Sequence, residues 1–119
     1  MFDNGTVRHV VFEQPGDANV MQFAQGQLTC LQQGQVRIKV HAAGVNGPDI
    51  KQRMGAYPPP EGASPILGLE VAGVIIAVAD DVKDFKIGDK VACGGSGAVH
   101  AEVVAISVNL CVKLNDDAD

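Results

Sequence analysis

The stretch Gln35–Ala43, QVRIKVHAA, decides the fold class of this chain. Its apolar and polar residues alternate, with Val36, Ile38, Val40 and Ala42 separated by Arg37, Lys39 and His41. A period of two is typical of a strand with one buried face. Residues 35–43 therefore predict a β-strand on one side of a core.

Further apolar runs on both sides of this stretch predict more short strands, at residues 7–12, 20–23, 71–79, 90–92, 99–106 and 110–114. The segment 71–79 is almost wholly apolar and predicts a deeply buried strand. The chain has fourteen glycines and six prolines but only five aromatic residues, and such punctuation is typical of an all-β fold with many turns. The pattern predicts a mainly β fold, a small and partly open barrel with one or two short helices.

The helix prediction falls on residues 46–55. Its signals stand in the usual order: Asn46 or Gly47 as cap, Pro48 at the first helical position, Asp49 in the first turn, Arg53 in the last turn and Gly55 as the end. A single short helix after the strand 35–43 is therefore expected.

Composition limits the classes of partner. The chain has 119 residues, enough for one domain, and a formal net charge of −5. An acidic chain lacks the positive footprint of a nucleic-acid or anionic-membrane binder, and we expect neither partner. The three cysteines are Cys30, Cys93 and Cys111. Their odd number and wide spacing favour reduced thiols in a cytoplasmic protein over a disulfide framework.

Several motifs occur in one order along the chain: GVNGPD at 44–49, RMGAYP at 53–58, PILGLEVAG at 65–73, KIGDKV at 86–91 and GGSGA at 94–98. This series resembles the quinone-oxidoreductase branch of the medium-chain dehydrogenase/reductase (alcohol dehydrogenase-like) superfamily. The part around residues 52–60 is similar to the p53-inducible quinone oxidoreductases. The resemblance runs from about residue 7 to residue 114, and it implies a GroES-like fold, a partly open β-barrel.

The resemblance also implies a chemistry. Zinc-dependent members place a cysteine and a histidine where this chain has Asn46 and Leu69. Leucine cannot bind zinc and asparagine is a poor ligand, so we expect no metal site. The implied reaction is hydride transfer from NADPH to a quinone or enone. The resemblance places Asn46 and Tyr57 in the cleft for nicotinamide and substrate, as the catalytic and cofactor-binding residues.

Structural interpretations stand beside these roles. Asn46 also suits a helix cap, alone or together with a catalytic role, and Tyr57 also suits a packed loop aromatic. For the charged residues Asp49, Arg53 and Glu70 we prefer structural roles, such as an ion pair between Arg53 and Glu70, to proton transfer. The three histidines, His9, His41 and His100, fall at polar positions of predicted strands and are expected to face solvent.

Residues 1–119 are expected to be a single substrate-side domain. The resembling family has a nucleotide-binding Rossmann domain of on the order of 100–200 residues, and no G-x-G-x-x-G motif opens a helix here. The chain alone is therefore expected to be inactive as a reductase, and exposed apolar surface would favour a homo-oligomer. The alternative function is a stand-alone GroES-like binding or structural module without catalysis.

Overall fold

The computed structural model describes residues 6–12, 14–28, 30–55, 68, 70–94, 101–115 and 117. Their elements, in chain order, are β1 (Thr6–Val11), β2 (Gln22–Gln27), β3 (Gln35–Ala43), α1 (Gly47–Met54), β4 (Glu70–Val78), β5 (Lys90–Gly94), β6 (Val103–Ser107) and β7 (Cys111–Lys113). Short 3-10 turns lie at Ala18–Val20 and Val108–Leu110. The mainly β fold with few, short helices is confirmed.

The strands form two antiparallel sheets. The larger one has the order β6-β3-β4-β5-β7, and the smaller one is the pair β1-β2. Among the residues described, β6 and β7 are the free edges of the larger sheet, so this sheet does not close on itself. Two hydrogen bonds link the sheets: Glu102 N donates to Arg8 O at 3.0 Å, and Arg8 N donates to Glu102 Oε2 at 2.7 Å. The predicted partly open β fold is confirmed, with the described strands in two sheets that do not close into a barrel.

The core lies on one face of the five-stranded sheet. Alternation in β3 turns Val36 and Ile38 completely inward, where they meet Ile75 of β4 and Val91 of β5. The prediction of a deeply buried strand at 71–79 was too strong. In the first part of β4 only every second residue is fully buried. The reason is that an antiparallel sheet with one covered face buries the side chains on that face only, even when the side chains on the other face are also apolar.

Gly73 explains how β3 and β4 come close. A Cβ atom at this position would overlap the carbonyl oxygen of Lys39 on the neighbouring strand. The pairing register also shifts between Val40 and Ala42, next to the same contact. Position 73 therefore requires glycine, because β3 and β4 approach each other closely there, next to the shift in their pairing register.

The predicted strand at 20–23 was wrong in its position. Asp17 instead caps a 3-10 turn, and its Oδ1 accepts from Asn19 N at 2.9 Å. Strand β2 begins only at Gln22, where pairing with β1 starts. The glutamine-rich segment has no alternation of its own, so the partner strand determines where it is extended.

The turn before β5 depends on Asp89. Its Oδ2 accepts from Lys86 N at 3.0 Å, and its Oδ1 lies 3.1 Å from Lys86 Nζ. Lys113 Nζ of β7 lies 3.6 Å from the same carboxylate. The backbone hydrogen bond from Lys86, helped by the two ammonium groups, holds the pKa of Asp89 below its ordinary value. One carboxylate thus fastens the turn to the edge strand.

Candidate active site

Helix α1 and the connection that leads into it form the centre of the predicted site. Asn46 occupies the N-cap position in an extended conformation, with φ −123° and ψ 163°. Its N–H donates to Asp49 Oδ2 at 2.9 Å, which fixes the first turn. Gly55 ends the helix in the left-handed region at φ 87°. The helix at 46–55 is confirmed, and the N-cap position of Asn46 with it.

Two of the backbone donors at this helix end are already in use. Asn46 N donates to Asp49, and Asp49 N donates to Asn46 O at 3.0 Å. Pro48 has no N–H at all. Asn46 and Asp49 could therefore donate to a bound molecule only through the Asn46 side chain, and the first backbone donor left at this helix end belongs to Gly47.

The C-terminal half of α1 is held by Arg53. Its Nε donates to Gly16 O at 3.0 Å, and Gly16 N donates to Arg53 O at 2.9 Å. The ion pair that we expected between Arg53 and Glu70 is not formed among the residues described. Glu70 is exposed at the start of β4, and its side chain lies so close to Gly44 that a Cβ there would overlap it. Arg53 fastens the helix to the loop after β1 instead.

An apolar groove lies between β2 and α1. Its volume is about 320 Å³, and it is lined by Val10, Met21, Gln22, Phe23, Val45, Asp49, Ile50 and Arg53. Phe23 is 77% exposed and Val45 is 73% exposed. Both charged residues of the lining are engaged within the chain, Asp49 with the helix cap and Arg53 with Gly16. The groove can therefore hold a flat apolar molecule, but it offers no free acid or base from these two residues.

A second cavity, of about 600 Å³, opens at the ends of β3, β4 and β5. Gly44 and Glu70 belong to its lining. The connection from β3 to α1 thus contributes Gly44 to this cavity and Val45 to the apolar groove. Asn46 follows Val45 directly in the chain and is half-buried.

The predicted residues are therefore divided between two places. Asp49 and Arg53 line the groove, and Glu70 lines the second cavity. Tyr57 and Leu69 lie outside the residues described. The roles proposed for Asn46 and Tyr57 in binding and catalysis stay predictions.

The histidines also differ from one another. His41 is exposed as expected. His9 is half-buried, because it pairs with Ala101 and its ring lies against Gly26. His100 lies outside the residues described.

Sequence reasoning missed most of the groove. Met21, Phe23, Val45 and Ile50 were not named as site residues, although all four line it. The available signal was weak: a large apolar residue in a glutamine-rich segment, as at Phe23. Such a residue has no core to enter and is a candidate for a binding surface.

The two positions at which the zinc-dependent members have ligands carry other residues in this chain. Asn46 offers a weak ligand at most and Leu69 has no donor atom. In the part of the chain that is described, no three His, Cys, Asp or Glu side chains converge as a metal site would need. Nor is any helix in this part long and apolar enough to cross a membrane.

Comparison with known proteins places this geometry in context. The sequence model of the alcohol dehydrogenase GroES-like domain matches residues 32–116. One protein of the phenolphthiocerol/phthiocerol polyketide synthase of Mycobacterium tuberculosis is 32% identical over 104 residues, which are 87% of this chain and 5% of that protein.

Two solved structures share the fold. The quinone oxidoreductase of Pseudomonas syringae pv. Tomato DC3000 is 33% identical with a TM-score of 0.84, over 95% of this chain and 35% of its own. The Escherichia coli quinone oxidoreductase complexed with NADPH is 26% identical with a TM-score of 0.81, over 94% and 34%. The chain therefore spans about a third of the length of these enzymes.

Proposed function

The chain belongs to the alcohol dehydrogenase GroES-like domain family, and from this premise we propose that it is the substrate-side domain of an NADPH-dependent reductase that works without zinc. The acceptor is a quinone or an enone. The observation that carries the proposal is the replacement of both metal-ligand positions of the zinc-dependent members by Asn46 and Leu69, together with an apolar groove that Val45, the residue before Asn46, helps to line.

The groove suits the ring of such an acceptor. A quinone or enone is flat and mostly apolar, and the lining offers apolar side chains at Phe23, Val45 and Ile50. Polar contacts are needed only at the carbonyl oxygen, where negative charge develops as hydride arrives. This division between an apolar body and one polar point agrees with an apolar groove whose lining includes Val45, the residue before Asn46.

NADPH would supply the hydride when bound. The residues described fit its nicotinamide end better than its phosphates. Arg53 is the cation of the groove lining, and its Nε is already bonded to Gly16 O. We propose that a second domain holds the phosphates and adenine, since the Escherichia coli relative complexed with NADPH is about three times as long as the part matched here.

Two side chains of this chain would stabilise the developing oxyanion. The Asn46 amide can donate a hydrogen bond, and its backbone N–H cannot substitute because Asp49 already accepts from it. The Tyr57 hydroxyl is the second donor implied by the family resemblance. Holding the two reactants in position would contribute as well.

The test uses the full-length protein with NADPH and a series of quinones and enones. Asn46→Asp is the decisive variant, because aspartate keeps the preference for the N-cap but cannot donate an amide N–H. We expect Asn46→Asp and Tyr57→Phe each to lower kcat/KM on the order of 100-fold. Asn46→Ala should lose activity and also some helix stability.

Three results would contradict the proposal. Wild-type kcat/KM in both Asn46→Asp and Tyr57→Phe would leave these residues only structural roles. One tightly bound zinc per chain, measured by elemental analysis after dialysis, would overturn the metal-free mechanism. No NADPH oxidation with any quinone or enone would favour a binding or structural module.

A further inference from the structure

Two cysteines face each other across neighbouring strands. Cys93 of β5 is paired in register with Cys111 of β7. In the same ladder Leu114 N donates to Lys90 O at 2.8 Å, so Lys90 and Leu114 form a hydrogen-bonded pair. Because the two kinds of pair alternate in an antiparallel ladder, Cys93 and Cys111, three positions further on, form a non-hydrogen-bonded pair.

This kind of pair has the closer backbone spacing. Opposite Cα atoms are about 4.5 Å apart there, which lies within the range that disulfides span. The two Sγ atoms are 2.9 Å apart. A bonded pair of sulfurs is separated by about 2.05 Å, so little more than side-chain rotation is needed to join them.

The two thiols are not equivalent. Cys93 is only 5% exposed, whereas Cys111 is half-buried. The Cys93 thiol donates a hydrogen bond to Cys111 Sγ, which lowers the pKa of Cys111. The same hydrogen bond, together with burial, raises the pKa of Cys93. Cys111 is therefore the thiol of the pair that ionises more readily, and it is also the more accessible one.

We propose that Cys93 and Cys111 form an oxidation site that closes to a reversible intrachain disulfide in the presence of hydrogen peroxide. The Cys111 thiolate attacks one peroxide oxygen, the O–O bond breaks, and hydroxide leaves to take up a proton. The Cys93 sulfur then attacks the sulfenic acid on Cys111, loses its proton and displaces water. Both sulfurs are oxidised, the peroxide is reduced to two waters, and a small thiol restores the pair by exchange.

The bond would act on the edge of the larger sheet. Strand β7 has only three residues and pairs with β5 alone among the strands described. A covalent link at Cys111 would fix this edge to a strand that belongs to the core. We expect slower amide exchange in β7 after oxidation.

The sequence offers a direct assay. No lysine or arginine lies between Val91 and Lys113, so trypsin releases both cysteines in one peptide. The protein is treated with peroxide, denatured, alkylated and digested. We expect peptide 91–113 to be lighter by two hydrogen atoms and free of alkyl groups, and to take up two alkyl groups after reduction. Cleavage after Glu102 should give two peptides that stay linked until reduced.

Matched variants distinguish disulfide formation between Cys93 and Cys111 from non-specific oxidation of cysteines. Cys30→Ser removes the exposed third thiol, and the disulfide should form unchanged. Cys93→Ser should stop the reaction at a sulfenic acid on Cys111 that dimedone traps.

Two results in the wild-type protein would overturn the proposal without any variant. One is peptide 91–113 carrying two alkyl groups at a peroxide dose that oxidises Cys30. The other is separate oxygen addition to either cysteine with no link between them.

Discussion

The five-stranded sheet and the region formed by α1, β1 and β2 differ in the kind of side chain that they bury. In the sheet, apolar side chains are hidden: Val36, Ile38, Ile75 and Val91 have no exposed area. In α1 the buried residues are polar, Asp49 and Gln52, while Ile50 and Met54 face outward, 42% and 59% exposed. The helix thus directs polar groups inward and leaves its apolar residues exposed.

This difference separates the source of stability from the binding surface. Complete burial of an aliphatic side chain stabilises a fold by about 1.5–3 kcal/mol, and in the described part of the chain such residues belong to the sheet. The apolar residues around α1 are exposed and available for contact with another molecule. Substitutions of matched residues in the two regions test whether stability and binding are separated in this way.

The largest expected effect lies in the sheet. Ile75→Ala removes a completely buried side chain and should lower the free energy of unfolding by about 2–5 kcal/mol. Ile87→Ala makes the same chemical change at a position that is 64% exposed, and should cost no more than about 0.5 kcal/mol. Chemical denaturation measures both. Equal losses would contradict the assignment of the core to the sheet.

The sequence patterns predicted correctly those elements whose bounds depend on residues within the element itself. Strand β3 has the bounds 35–43 that its alternation predicted, and α1 lies within the predicted 46–55 because its cap, proline and glycine signals are all short-range. Strand β2 was misplaced because its pairing with β1, and not its own residues, sets its start.

The candidate site was less predictable because its contacts join residues that are far apart in the sequence. Arg53 bonds to Gly16, which is 37 positions away, and no short-range pattern indicates that choice over Glu70. Periodicity also does not show which face of a short helix turns inward. The outward direction of Ile50, and with it the groove, therefore required the tertiary structure.

An intermediate effect is expected at the cap of α1. Asp49→Ala removes the acceptor for Asn46 N from a buried position and should cost about 1 kcal/mol of folding stability. Asp49→Asn keeps an acceptor of the same shape and should cost less. Denaturation and far-ultraviolet circular dichroism measure the two variants. If Asp49→Ala cost as much as Ile75→Ala, α1 would belong to the same stability unit as the sheet.

The smallest effect on stability is expected at Phe23, in the groove. Phe23→Ala should change the free energy of unfolding by no more than about 0.5 kcal/mol, since the ring is 77% exposed and its contact with Arg8 lies at the surface, 5.8 Å from guanidinium carbon to ring centroid. Binding of an apolar fluorescent dye to the free chain should fall, because the ring lines the groove.

Phe85→Ala is the matched control, because that ring packs against the core and lies 5.4 Å from Lys113 Nζ. Phe85→Ala should lower the free energy of unfolding by roughly 1–3 kcal/mol, which is less than the 3–5 kcal/mol typical of replacing a fully buried phenylalanine by alanine. Dye binding should change less than in Phe23→Ala. If both variants lost the same stability and Phe23→Ala left dye binding unchanged, the groove would be an extension of the core, and the separation between the two regions would fail.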